Sequence, residues 1–106
     1  MNIEFHPEAR LEFIKSVSYY TGIQSALGER FIESVNASLQ RIGEAPEHCA
    51  EIEQGVRRQL TRVFPYALLY VIEPDRIVIA AVMHCHQRPG YWRTRLLSVN
   101  QKPPRP

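Results

Sequence analysis

The chain is predicted to fold as an α+β domain with the order β-α-α-β-β-β, a two-helix antiparallel hairpin packed on a mainly antiparallel four-stranded sheet. Three observations lead there. The 106 residues supply one hydrophobic core and leave no room for a second. The first half repeats apolar residues at helical spacing in two stretches joined by a short link. The second half changes to short runs rich in β-branched and aromatic residues, with a proline-containing turn between the two most apolar ones.

Taken in order, Asn2 to His6 alternates Ile3 and Phe5 against Glu4, the pattern of a short strand with one buried face. Pro7 suits the first turn of a helix because that turn leaves its amides unpaired, and Glu8 complements the helix dipole. Ala9, Phe13, Val17 and Tyr20 then form an apolar stripe, and Gly22 is expected to end the helix. A second helix from about Gln24 to Glu44 aligns Leu27, Phe31, Val35, Leu39 and Ile42, with Glu29, Arg30, Glu33 and Arg41 elsewhere. The short link makes the pair antiparallel, and both stripes are assigned to the core because each helix must bury its apolar face.

Ala45-Pro46 stops the second helix, and the polar run to Gly55 reads as a loop. Val56 to Phe64 is extended with mixed polarity, whereas Ala67 to Ile72 and Ile77 to Met83 are apolar on both faces and are therefore central. Glu73-Pro74-Asp75-Arg76 supplies a turn. Pro65 reads as a kink or bulge that ends one strand, since it cannot donate a ladder hydrogen bond. Two helices in one layer cover only one sheet face, so the other face is a candidate docking surface. Residues 1–97 are assigned to the domain and 98–106, ending Lys102-Pro103-Pro104-Arg105-Pro106, to a flexible proline-rich tail. No internal repeat is visible.

Hydrophobic residues at 44% and charged residues at 23% argue against wholesale disorder and against a fibrous fold. No apolar run reaches the roughly 18 residues of a membrane span, and Met1 to Phe5 has neither a basic region nor a long apolar core, so a cytoplasmic, unprocessed protein is expected. Cys49 and Cys85 are too few for a disulfide scaffold and are expected as free thiols. His84, Cys85 and His86, with His48 and Cys49, match no familiar zinc spacing, and no metal or other cofactor is assigned.

The net charge of +2 hides an asymmetry: residues 1–55 balance at −5 and residues 56–106 at +7. One reading is that acidic helices and a basic sheet pair with each other. The other, favoured because the arginines interrupt an apolar region, is an anionic partner. The candidate target- or anion-binding residues are Arg57, Arg58, Arg62, Arg88, Tyr91, Trp92 and Arg93. Arg58 and Arg62 would lie on one face of a strand about 13 Å apart, as two anchor points. Pro89 pushes Arg88 towards extended geometry. Tyr91 and Trp92 either stack on a base or fill a partner's pocket, or Trp92 lids the core.

The order of elements, together with Phe5-His6-Pro7-Glu8-Ala9, Arg58, Phe64-Pro65-Tyr66, Tyr70, Ile77 to Val82, His84, Arg88-Pro89 and Tyr91-Trp92, resembles the RelE/ParE superfamily of bacterial type II toxins over nearly the whole chain. The resemblance implies a growth-inhibiting toxin of a plasmid stabilisation module, encoded beside an antitoxin whose C-terminal segment wraps and blocks it. Two activities then compete. The RelE-like branch cleaves messenger RNA on the ribosome, which requires proton transfer that arginine cannot provide. Only Lys15 and Lys102 are lysines, so a catalytic set would be His84, Arg88 and Tyr91, with His86 as a further proton carrier, unless His84 is a hydrogen-bonded structural residue. The Arg-Pro-Gly-Tyr-Trp ending resembles the ParE branch, whose members inhibit DNA gyrase by binding and need no bond-breaking site. The reading is thus a ParE-like binding toxin, neutralised by a cognate antitoxin. The alternatives are a ribosome-dependent mRNA endoribonuclease and an inactive copy that keeps only antitoxin binding.

Overall fold

The computed structural model describes residues 2–100. The elements run β1 (Asn2–Phe5), α1 (Pro7–Ile23), α2 (Ser25–Glu44), β2 (Glu51–Glu53), β3 (Val56–Leu60), β4 (Tyr66–Ile72), β5 (Arg76–His84) and α3 (Arg93–Asn100). The α+β class, the helical hairpin and the central position of the two apolar strands agree with the sequence. The sheet has five strands rather than four, in the order β1-β5-β4-β3-β2, and only β1 with β5 is parallel.

His6 caps α1: its Nδ1 accepts the Glu8 amide at 3.1 Å, which satisfies one of the donors a helix start leaves open. Gly22 does not end α1. A glycine stops a helix by taking a left-handed conformation, and among the described glycines only Gly55 and Gly90 do so. The helix continues to Ile23, and Gln24, extended at φ −164° and ψ 133°, both closes α1 and opens α2. The hairpin is tight at Gly28, where an added Cβ would lie 2.0 Å from Thr21 Oγ1 and 3.1 Å from Thr21 Cα.

The helices bury Ala9, Phe31, Val35 and Ile42 against one sheet face, formed by Tyr66, Leu68, Tyr70, Ile77, Ile79 and Val82. That face takes odd-numbered residues at the start of β5 and an even-numbered one at Val82. The register explains the switch: Tyr70 faces Ile79 and Leu69 faces Ala81, so Ala80 is an extra residue, and a bulge reverses the alternation.

The opposite face is not left bare. Val56, Ala67, Leu69, Val71, Val78 and Ala81 pack with Trp92, which is 2% exposed, and with Tyr91 and Leu96. The stretch after Trp92 forms α3, which extends over the first three residues assigned to the tail; 101–106 lie outside the described residues. The fifth strand, β2, arises within the stretch read as a loop. Gly55, at φ +79°, turns Glu51–Glu53 back onto β3, and the strand is polar because it lies at the sheet edge.

Candidate binding surface

Alternation along β3 separates two neighbouring arginines. Arg57 points towards the helix side, where it donates to the Glu47 carbonyl at 3.1 Å and the Cys49 carbonyl at 2.6 Å and pairs with Glu51 at 3.4 Å. It pins the loop after α2, as does Tyr70, whose hydroxyl donates to the Pro46 carbonyl at 2.7 Å. Burial, then hydrogen bonding with Cys49, holds the Tyr70 pKa above the usual tyrosine range. Arg58 points to the other face, into a cavity of about 300 Å³ shared with Met83, Pro89, Trp92 and Arg93. Arg58 has no polar partner among the described residues.

Arg62 does not share a strand face with Arg58, because β3 ends at Leu60. It lies in a bend in which the Thr61 hydroxyl donates to the Phe64 carbonyl at 2.8 Å and the Ser34 hydroxyl donates to the Arg62 carbonyl at 2.6 Å. The side chain stands between two cavities. One of about 540 Å³ faces Arg41, Glu44 and His48, and one of about 280 Å³ faces Arg30, Glu33 and Ser34. Phe64-Pro65-Tyr66 is structural: Phe64 and Tyr66 are buried against Tyr20 and Phe31.

At the end of β5, the His84 amide donates to Gln87 Oε1 at 3.0 Å, its Nδ1 accepts the His86 amide at 3.1 Å, and its ring meets Tyr66 edge-on at 5.2 Å. His84 therefore shapes the turn that follows it. Cys49 and His48 line the cavity beside α2, whereas Cys85 lines the one beside Arg58; both cysteines are free thiols. Among the described residues no three His, Cys, Asp or Glu gather as a metal-binding group. Arg88 is exposed and has no polar partner among the described residues. Gly90, at φ +81°, turns the chain so that Tyr91 and Trp92 fold back on the sheet. Arg93 Nε donates to Glu53 Oε1 at 2.7 Å, tying the C-terminal segment to β2, and this hydrogen bond holds the Glu53 pKa below its ordinary value.

The most connected polar group in this region was not singled out from the sequence. Glu12 of α1 accepts the Val82 amide at 2.9 Å, the Tyr91 hydroxyl at 2.6 Å, and both terminal nitrogens of Arg95 at 2.8 and 2.9 Å. Arg95 also donates to the Ala80 carbonyl at 3.1 Å. The place explains the arrangement. β1 pairs with β5 only as far as Ile79, where the His6 amide donates to the Ile79 carbonyl at 2.9 Å. Beyond it, Glu12 and Arg95 supply the acceptor and the donor that a longer β1 would have offered. Burial first, then the bond to Glu12, raises the Tyr91 pKa above its ordinary range. The sequence carries only a faint trace of this clasp, an acid beside the α1 stripe and an arginine four residues after Tyr91.

The seven candidate residues thus divide. Arg57, Tyr91, Trp92 and Arg93 are engaged in holding the fold, while Arg58, Arg62 and Arg88 present their guanidinium groups without a polar partner among the described residues. Arg58 lies with Trp92 and Arg93 at one cavity, which Pro89 brings next to Arg88; Arg62 stands apart beside α2.

The model of the family described as ParE toxin of type II toxin-antitoxin system, parDE, matches residues 3–89. A solved structure titled "Chromosomal ParDE TA system from P. aeruginosa" is similar, with a TM-score of 0.69 at 11% identity over 79% of this chain and 95% of that one. At that identity the likeness is one of fold. No curated protein matches. With the family match spanning most of the chain and the fold, a helical hairpin on a five-stranded sheet, agreeing, this chain belongs to the ParE toxin family of type II toxin-antitoxin systems.

Proposed function

We propose that this toxin inhibits DNA gyrase by binding it, without bond-breaking chemistry, and that a cognate antitoxin neutralises it. The observation that carries this reading is the fate of the residues a nuclease would need. Tyr91 is tied to Glu12 with its proton held above the ordinary range, and His84 Nδ1 is occupied by the His86 amide. Proton transfer at neutral pH asks for a group that releases its proton there, and Tyr91 in this setting opposes release. The exposed arginines that remain, Arg58, Arg62 and Arg88, suit anionic groups on a protein surface through charge-assisted hydrogen bonds.

The purified protein added to a gyrase supercoiling reaction is expected to block supercoiling while leaving transcripts in a translating extract intact. Arg58→Glu and Arg88→Glu are each expected to weaken inhibition by about tenfold or more. Adding the product of the adjacent reading frame should restore supercoiling. Transcripts cut by the wild type but spared by His84→Ala would make the protein a ribosome-dependent endoribonuclease instead. Unimpeded gyrase, intact transcripts and normal growth on induced expression would make it an inactive copy.

A further inference from the structure

Val63 stands at the apex of the bend between β3 and β4 with φ +75°. A β-branched side chain in the left-handed region crowds its own backbone, and asparagine or glycine relieves that crowding. The conformation is imposed by its neighbours. The Thr61 hydroxyl holds the Phe64 carbonyl, the Ser34 hydroxyl holds the Arg62 carbonyl, and the Phe64 ring is set edge-on against Tyr20 and Phe31. No burial offsets the strain, since Val63 is 95% exposed. Leu60, at the end of β3, is also 52% exposed. The guanidinium groups of Arg62, beside Val63, and of Arg30, across the 280 Å³ cavity that Glu33 also lines, have no polar partner among the described residues.

An exposed apolar apex beside two outward-facing guanidinium groups, held on a strained but firmly anchored backbone, offers a partner apolar and cationic contacts at one preorganised place. We infer that the Arg62-Val63 apex is a docking knuckle for a protein surface that offers an apolar pocket rimmed by carboxylates, and that this surface belongs to the toxin's target. A nucleic acid fits less well, because a phosphate backbone offers the arginines partners but gives an isopropyl group nothing to fill. The inference rests on the binding mechanism proposed above and adds to it the element that makes first contact.

The test compares the wild type with Val63→Asn and Arg62→Ala in thermal melting, gyrase supercoiling and growth after induced expression. Val63→Asn is expected to melt higher, by about 4 °C or more, yet to need about tenfold more protein for the same inhibition. Arg62→Ala should weaken inhibition with no gain in melting temperature. Val63→Asn that inhibits as strongly as the wild type overturns the inference. So does a Val63→Asn protein that melts no higher, whatever gyrase does, because the apex then holds no strain. Val63→Asn that keeps full inhibition but escapes the antitoxin also overturns it, giving the knuckle to the antitoxin. If the wild type leaves gyrase untouched, the gyrase reading fails by itself, and the knuckle is decided by melting and by whether Val63→Asn still arrests growth.

Discussion

One carboxylate, Glu12, receives four hydrogen bonds from three residues: one from the backbone of β5 and three from the C-terminal segment. Arg95 is only 8% exposed, so removing Glu12 leaves a nearly buried cation that has lost its hydrogen-bonded carboxylate and keeps only the more distant Glu8 carboxylate, at 3.9 Å. Glu12→Ala is therefore expected to lower stability by about 3 kcal/mol. Trp92 is the sole tryptophan and lies under the same segment, so its fluorescence in a urea titration reads the loss directly. A change below about 1 kcal/mol would put the clasp among weak surface pairs. Single residues were legible as types more than as roles. Arg57 and Arg58 look alike in the sequence, yet strand alternation sends one to the loop after α2 and the other to a cavity on the far face. Arg58 and Arg62 were read as one pair only while the strand was taken to continue past Leu60.

At the scale of elements, local pattern succeeded where one face of an element is buried. The stripes of α1 and α2 and the apolar runs of β4 and β5 lie where periodicity put them. It failed at β2 and α3 for a shared reason. β2 lies at the sheet edge and α3 lies outside the second sheet face, where Leu96 packs, and the polar composition of each makes it resemble a loop or a tail. The hairpin between α1 and α2 offers a test of its own. Gly28→Ala places a Cβ against Thr21, including its backbone, so helix propensity, which favours alanine by about 1 kcal/mol, is outweighed by overpacking of about 1–3 kcal/mol. Gly28→Ala should thus melt lower than the wild type, and adding Thr21→Ala, which removes the nearest clashing atom, should recover part of the loss. A Gly28→Ala protein that melts higher would show that the helices can separate there at no penalty.

Over the whole molecule, the charge asymmetry resolves into two populations. Arg57, Arg76, Arg93 and Arg95 of the basic half pair with Glu51, Glu4, Glu53 and Glu12 of the acidic half, while Arg58, Arg62 and Arg88 make no such pair among the described residues. The internal pairing read from the sequence thus holds for the first four arginines, and the other three stay candidates for an anionic partner. A second property of the whole is its response to alkali. Burial, then interaction with Tyr66 and Tyr19, pushes the Tyr20 pKa up to about 12, and Tyr70 and Tyr91 are raised as well. For a tyrosine the folded state then holds its proton where the unfolded chain, at about 10, has released it. Their contribution to stability is complete below pH 10 and is lost as pH rises through the folded values. Absorbance at alkaline pH should show these three hydroxyls ionising late and together with unfolding, and early ionisation in a still-folded protein would contradict it. The sequence by itself determined the two helices, the two central strands, the fold class and the resemblance to toxins, because these follow from residue spacing over short stretches. Only the tertiary structure decided which arginines hold the fold and which face outward. Arg93 and Glu53 lie 40 positions apart and Arg95 and Glu12 lie 83 apart, so no local pattern can reveal that they meet.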